Sequence, residues 1–264
     1  MGHYYQVRNG LCTPMYQVAK RDGGMRDTTV ADARKNRWLP SVNEILSIQA
    51  NPFLSDWLTQ QALEFGFRAG YDDSTTGLVE EHLQQCKEAW LKESSLRADA
   101  GTFIHDQVFE IGLKTKTAPQ DEASRTIYEK ILEVTQGISF DREHGAFVEE
   151  SFGSNVIGYA GRCDCIGIRD GSLHGFDLKT IKTDRKPYDK EWRQIAAYKK
   201  LLSALGHKVD SFSLLLFRQE DGKFFGKYTL ESKEEEKRFK EFEACFNLWR
   251  VAKDYDPRST EEAW

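Results

Sequence analysis

The chain has 264 residues, of which 39% are hydrophobic and 30% are charged, and its net charge is −5. This composition is typical of a globular protein of one large or two small domains, and it excludes a disordered chain. No segment approaches the roughly 18 apolar residues that a membrane-spanning helix needs, and residues 1–10 lack the apolar core of a signal peptide. We therefore expect no membrane partner. The five cysteines are scattered and form no disulfide framework, so we also expect a cytoplasmic, reducing compartment.

The N-terminal half of the sequence is predicted to be mainly helical. Residues 1–40 are polar and show no clear periodicity, so we treat them as an N-terminal extension. Ser41 and Glu44 have the spacing of a capping box, in which a hydroxyl and a carboxylate three residues later begin a helix. We therefore predict a helical section over residues 41–143. Its further helices are expected from Pro52, over 77–113 and over 121–135.

Strand-like patterns begin near residue 145, and we predict one integrated domain over residues 144–264. The Asp-Gly pairs at 170–171 and 221–222 are strong signals for hairpin turns. The order of three strands, a helix, two strands and a helix, behind a helical front section, indicates an α/β (α+β) fold. The strands are expected over 147–152, 156–168, 172–180, 210–218 and 223–230, and the helices over 189–205 and from Ser232 as the capping residue.

The residues best suited to chemistry lie on two neighbouring predicted strands. Asp177 and Lys179 are two apart on a strand and so share one face, with Leu178 turned into the core. The hairpin before them brings the preceding strand alongside, so Asp164 can reach the same face. Two carboxylates and the Leu178 carbonyl suit Mg²⁺ or Mn²⁺ as metal ligands. The ammonium of Lys179 can orient a water or neutralise charge on a phosphoryl transition state.

Each of these features also has a simpler interpretation. An Asp-x-Lys motif on a strand usually marks an exposed, salt-bridged face, and Asp164 alone could cap a strand end. Residues 179–200 include eight basic and three acidic residues, which makes a positive segment in an acidic protein. Such a segment could hold an anion or form an ordinary solvated helix face. Taken together, Asp164, Asp177 and Lys179, with the spacing between them, favour a functional site over these simpler interpretations.

Three motifs stand in order along the chain: Gly-Arg-x-Asp at 161–164, Asp-Leu-Lys-Thr at 177–180 and Gln-x-x-x-Tyr at 194–198. Together they resemble the PD-(D/E)XK nuclease superfamily, and within it the RecB-like branch, which includes phage exonucleases and the mitochondrial genome-maintenance exonuclease. The resemblance extends from about residue 101 to residue 217. It implies a restriction-endonuclease-like core, in which helices flank a central mixed sheet.

The resemblance implies a role for each motif residue. Asp164 matches the first metal-binding aspartate, and Asp177 matches the second acidic ligand, where glutamate is commoner. Lys179 matches the catalytic lysine. Gln194 and Tyr198 are four apart and share one helix face, from which they can hold the lysine and a DNA phosphate or base.

A histidine and a glutamate extend the predicted site. The segment Gly-Thr-Phe-Ile-His at 101–105 resembles the upstream histidine motif of the branch, which makes His105 a metal ligand. A hydrogen-bonded core histidine is the alternative, because His105 lies beside an apolar stripe. The family also has an acidic catalytic residue on the strand before Asp164. Glu149 and Glu150 point to opposite faces, and the spacing favours Glu149, which leaves Glu150 in solvent.

The cysteines depart from part of the branch. Some RecB-like nucleases bind an iron–sulfur cluster through four cysteines, three of them close together near the C-terminus. This chain has only Cys245 in that region and Cys86 alone upstream. Cys163 and Cys165 flank Asp164 and are expected to face away from it into the core. No Cys-x-x-Cys pair suits zinc, so we predict neither an iron–sulfur cluster nor zinc.

The motifs predict a Mg²⁺- or Mn²⁺-dependent deoxyribonuclease, and the branch favours an exonuclease that acts on a single strand or a duplex end of DNA. A recombination or replication protein is a further expected partner. The alternatives are a structure-specific endonuclease of the same fold, a non-cleaving module that binds nucleic acid or protein, and a glycosidase, which leaves Lys179 unexplained. Tyr159 and Tyr188 could stack on bases. The residues expected to bind nucleic acid are Arg162, Lys182, Arg185, Lys186, Arg193 and Tyr198.

Overall fold

The computed structural model describes residues 4–8, 11–20, 23–49, 59–60, 64 and 76–259. The chain divides into two compact units, one formed by Met1–Ile48 with Ile104–Trp264 and the other by Gln49–Phe103. This division does not follow the predicted boundaries after residues 40 and 143. The helix expected from Pro52 lies outside the described residues. Within the described ranges, no helix is long and apolar enough to cross a membrane.

The N-terminal residues, which showed no clear pattern, form short strands and helices. Their strands have only two to five residues, too few for an alternation of apolar and polar residues to be recognised. A small sheet has the order β2-β1-β5, and β3 and β4 form a separate antiparallel pair. These elements are β1 (Tyr4–Arg8), β2 (Leu11–Met15), β3 (Gln17–Ala19), β4 (Met25–Asp27), α1 (Val30–Asn36), β5 (Leu39–Pro40) and α2 (Val42–Leu46).

Helices follow where the periodicity predicts them. They are α3 (Thr76–His105), a π-helical segment (Asp106–Leu113) and α4 (Glu122–Val134). The Ser41 hydroxyl accepts a hydrogen bond from the Glu44 amide and so begins α2, which confirms the predicted cap. The Glu44 carboxylate accepts hydrogen bonds from Tyr4 and Trp249, and the described contacts do not include the reciprocal bond of a capping box. The change from α- to π-helical winding comes directly after His105. Such changes of winding are frequent at functional sites.

The C-terminal part forms a five-stranded mixed sheet. Its order is β10-β9-β8-β7-β6, and β8 and β9 are its parallel pair, connected through α5. Asp170 and Gly171 both have positive φ values, as a tight hairpin requires, and the hairpin joins β7 to β8. The predicted α/β (α+β) class is therefore confirmed as a mixed sheet with helices. The elements are β6 (Phe147–Ser154), β7 (Tyr159–Arg169), β8 (Ser172–Ile181), α5 (Asp189–Ala204), β9 (Val209–Arg218), β10 (Phe224–Thr229) and α6 (Ser232–Ala252).

Two apolar clusters cover the two faces of this sheet. One includes residues of α5 and α6, and the other includes residues of the π-helical segment and α4. Cys163 belongs to the first cluster and Cys165 to the second. Two residues separated by two positions on a regular strand would share a face, so the pleat of β7 is interrupted at Asp164. Both cysteines are buried, as expected, but they lie in different clusters, so they do not both face away from Asp164.

The start of α6 differs from the prediction by one residue. Ser232 is the first helical residue, and Glu231 occupies the capping position without a side-chain cap hydrogen bond. The predicted serine cap is therefore wrong, and an acidic residue at this position still interacts favourably with the helix dipole.

Candidate metal centre

The candidate centre lies where β7 and β8 separate. The two strands pair from the hairpin as far as Cys165 and Phe176, and their pairing ends there. The Asp164 carboxylate then takes the place of the missing strand contact, because its Oδ2 accepts a hydrogen bond of 2.7 Å from the Leu178 amide. The carboxylate of Asp164 is thereby fixed in the opening between the strands.

Three potential metal ligands converge on this opening from three elements. One ligand atom each from His105, Glu149 and Asp164 lies within 4.8 Å of the other two. His105 Nδ1 is 3.6 Å from Asp164 Oδ2 and 3.8 Å from Glu149 Oε1. His105 ends α3, Glu149 lies on β6 and Asp164 on β7. The structure thus brings together the histidine and the glutamate that the sequence favoured, while their role as ligands stays a prediction.

The backbone at Glu149 is held in an unfavourable conformation. Its φ of 53° lies in the left-handed region, which costs about 1–3 kcal/mol for a residue other than glycine. The neighbouring pairs, Val148 with Cys165 and Glu150 with Cys163, place Glu149 opposite Asp164. Like charges that face each other across strands are destabilising. Here the charges of the two carboxylates are balanced by His105 and Arg162, and the same arrangement could bind a cation.

A second chain of polar contacts links β8 to α5. Lys179 Nζ is 2.6 Å from Asp177 Oδ2 and donates a hydrogen bond of 2.8 Å to Gln194 Oε1. Gln194 Nε2 in turn donates to the Tyr198 hydroxyl at 3.0 Å. The Tyr198 ring lies against Gly161, where an added Cβ would overlap the ring. This contact gives the glycine of the Gly-Arg-x-Asp motif a packing role.

The donor set fits a divalent cation such as Mg²⁺ or Mn²⁺. Ligands about 2.0–2.2 Å from one ion lie roughly 3.0–4.2 Å apart, so the separations at His105 need little adjustment. Asp177 Oδ2 is buried and lies 2.6 Å from Lys179 Nζ, so its role as a further oxygen ligand remains a prediction. Leu178 contacts Asp164 through its amide, and its carbonyl as a ligand remains a prediction.

The pKa values of these groups depend on one another. Burial and the nearby Asp164 raise the pKa of Asp177 to about 6, and burial also raises the pKa of Glu149. Burial opposes ionisation of Asp164, but His105 and Lys179 hold the pKa of Asp164 below its ordinary value. Burial likewise opposes the charge of His105, yet Asp164 and Glu149 outweigh it and raise the pKa of His105 to about 10. In the metal-free protein, a proton on His105 therefore takes the place of a cation.

Arg162 is held by carboxylates, which the sequence did not indicate. Its Nε is 2.5 Å from Glu149 Oε2, and its Nη2 is 2.8 Å from Glu110 Oε1 on the π-helical segment. Burial lowers the pKa of Arg162, but Glu149, Tyr16 and Glu110 outweigh it and raise this pKa above its ordinary value. Glu110 was not selected from the sequence; the feature that could have pointed to it is its position five residues after His105 in the same helical stretch. Arg162 therefore orients Glu149. Because the Arg162 guanidinium is already paired with two carboxylates, the structure does not support its predicted contact with nucleic acid.

The other residues expected to bind nucleic acid differ in their exposure. Lys182 and Lys186 are exposed. Arg185 forms two hydrogen bonds with the Glu191 carboxylate, and Arg193 forms one with Glu241. Tyr198 is only 3% exposed, which does not fit direct contact with a strand.

Two further expectations about side chains near the site are corrected. Tyr159, considered for base stacking, is buried, whereas Tyr188 is exposed and lies under the Arg185 guanidinium. Glu150, expected in solvent, is partly buried and pairs with Arg142 at 2.8 Å.

Comparisons with known proteins add little to this geometry. No protein family model matches the chain, and no curated protein matches it. Among solved structures, the chain is similar to one described as the crystal structure of SSO0001, with 20% sequence identity and a TM-score of 0.30. The match covers 46% of this chain and 56% of that one. A similarity of this size carries no argument about fold or function.

Proposed function

We propose that this protein is a Mg²⁺- or Mn²⁺-dependent deoxyribonuclease with a restriction-endonuclease-like core. The observation that supports the proposal best is the convergence of His105, Glu149 and Asp164 beside the pair Asp177–Lys179 at the opening between β7 and β8. Carboxylates, an imidazole and an ammonium at one opening are the groups that metal-assisted phosphodiester hydrolysis needs. The mixed sheet and the crossover through α5 are compatible with such a core.

In this proposal, each residue of the site has a separate role in the hydrolysis. His105, Glu149 and Asp164, with Asp177 as a further ligand, would hold a divalent ion, which would supply positive charge beside the phosphate and lower the pKa of a bound water. Lys179 orients the attacking water and neutralises charge on the phosphate, and Gln194 holds the lysine in place. The water oxygen forms a bond to phosphorus, the bond from phosphorus to the ester oxygen breaks, and a proton ends on the leaving oxygen.

The proposal includes hydrolysis of DNA that begins at strand ends, and a location in a reducing, cytoplasmic compartment. The preference for ends rests on the motif resemblance alone. The setting is supported by the cysteines, since the structure shows no disulfide at Cys12, Cys86, Cys163, Cys165 or Cys245. A recombination or replication protein remains the proposed partner class.

The deciding experiment compares four DNA substrates. Linear and covalently closed circular DNA, each single- and double-stranded and labelled at the ends where ends exist, are incubated with Mg²⁺, with Mn²⁺ and with EDTA. We expect metal-dependent loss of the linear forms while closed circles persist. Rapid nicking of the circles would favour the endonuclease, and DNA binding without cleavage under all conditions would favour the non-cleaving module.

A further inference from the structure

Helix α5 carries a second lysine on the face that meets Lys179. Lys190, Gln194 and Tyr198 follow one another at intervals of four residues, so they share one side of the helix. Gln194 in the middle accepts the hydrogen bond from Lys179, and Tyr198 at the inner end is buried. Lys190 at the outer end is exposed. These three side chains therefore form a row along α5, from buried Tyr198, through Gln194 beside Lys179, to exposed Lys190.

The carboxylates beside Lys190 are occupied by other cations. Asp189 Oδ1 is 3.0 Å from Arg238 Nη1, although this carboxylate is largely exposed. Glu191 receives both hydrogen bonds of Arg185 and a third from the Tyr188 amide. In the part of the chain that the structure describes, no carboxylate lies within 4.0 Å of the Lys190 ammonium. Its charge is left available to a ligand.

The position of Lys190 is unfavourable for a cation in the protein alone. It lies in the first turn of α5, at the positive end of the helix dipole. Although the side chain is exposed, partial loss of hydration at its ammonium and the like charge of Lys179 lower the pKa of Lys190, while Glu191 acts in the opposite direction. A lysine that lies beside the like charge of Lys179, with no described carboxylate within 4.0 Å, gains from an anion that lies between the two ammonium groups.

We propose that Lys190 binds a phosphate of the DNA strand next to the phosphate that is hydrolysed, an inference that rests on the proposed nuclease function. Lys179 serves the reacting phosphate, and Lys190, at the outer end of the same row, holds the neighbouring phosphodiester. Lysine acts on phosphate as a point charge, so this contact fixes the position of the strand without reading its bases.

The test is the cleavage of a fluorescent oligothymidylate single strand at several salt concentrations. Lys190→Gln should raise KM about fivefold with little change in kcat. The slope of log KM against log salt should also fall by about 0.7, the value for one phosphate contact on a single strand. Lys190→Arg should retain the wild-type slope, because the charge remains.

Lys200→Gln is the matched control on the same helix. Lys200 is exposed and lies 5.3 Å from the centre of the Phe239 ring, away from the row of Lys190. This variant should show wild-type KM and slope, and both glutamine variants should keep the wild-type Mn²⁺ affinity and melting temperature. If Lys190→Gln has the wild-type KM and slope while cleavage is normal, the inference is wrong and the nuclease function stands. If the wild-type protein neither binds nor cleaves the strand, both proposals fail.

Discussion

Replacement of His105 by alanine tests the candidate metal centre most directly. His105 Nδ1 faces Asp164 at 3.6 Å and Glu149 at 3.8 Å, and Mn²⁺ accepts mixed nitrogen and oxygen ligands. Loss of an outer-shell partner alone commonly lowers metal affinity about 10- to 100-fold. We therefore expect His105→Ala to weaken Mn²⁺ binding by about 100-fold and to slow cleavage strongly.

The size of the effect on stability follows from mass action. At a free Mn²⁺ concentration 100 times the dissociation constant, binding stabilises the wild-type protein by about 2.7 kcal/mol. A variant that binds 100-fold more weakly gains only about 0.4 kcal/mol at the same concentration. For a chain of this length, the metal-induced rise in melting temperature should drop from about 5–10 °C to about 1–2 °C.

The melting temperature without metal cannot decide the role of His105. Asp164 and Glu149 raise its pKa to about 10, so the imidazolium stabilises the metal-free protein whether or not the neutral ring binds an ion. Alanine at this position therefore lowers metal-free stability under either interpretation. The informative quantity is the difference in melting temperature with and without Mn²⁺, together with a calorimetric Mn²⁺ titration.

His174→Ala provides the matched histidine control. His174 lies on β8, and its Nδ1 is 2.8 Å from the Ser211 hydroxyl, outside the His105 cluster. The metal-induced shift should be unchanged in this variant. If His105→Ala also keeps the full shift and the wild-type Mn²⁺ affinity, His105 is a core residue and the ligand assignment is wrong.

Four further predictions follow from the same geometry. Lys179→Ala should abolish cleavage and keep Mn²⁺ binding, whereas Asp177→Ala should lose both; near-normal turnover of Lys179→Ala, measured on labelled DNA, would contradict the motif assignment. Gly161→Ala should lower the free energy of unfolding by about 1–3 kcal/mol in urea titrations, because its Cβ would overlap the Tyr198 ring; a wild-type midpoint would contradict this. The folded pKa of His105 lies above its ordinary 6.5, so its charge stabilises the metal-free protein below pH 6.5 and this contribution is lost as the pH rises to about 10; in EDTA, the decline should be smaller in His105→Gln than in the wild type. The purified protein should be colourless, and a brown, iron-containing preparation would refute the interpretation of the cysteines.

The sequence by itself determined those features that depend on nearby residues. The periodicity of 121–135 predicted α4, and the Asp-Gly pair at 170–171 predicted the hairpin because positive φ values are a local requirement. Strand and helix periods likewise predicted that Asp177 shares a face with Lys179, and Gln194 with Tyr198. The contact between the two pairs, through Lys179 and Gln194, was implied by the family resemblance.

Only the tertiary structure decided which charges meet. Arg162 contacts Glu110, 52 residues earlier, and Arg193 contacts Glu241, 48 residues later, so their partners could not be read from local patterns. The choice of Glu149 over Glu150 depends on the positive φ at Glu149 and on the interrupted pleat at Asp164. Both arise where strands separate and a helix end packs over the opening, because side-chain direction there is set by contacts across the sheet rather than by the alternation of a regular strand.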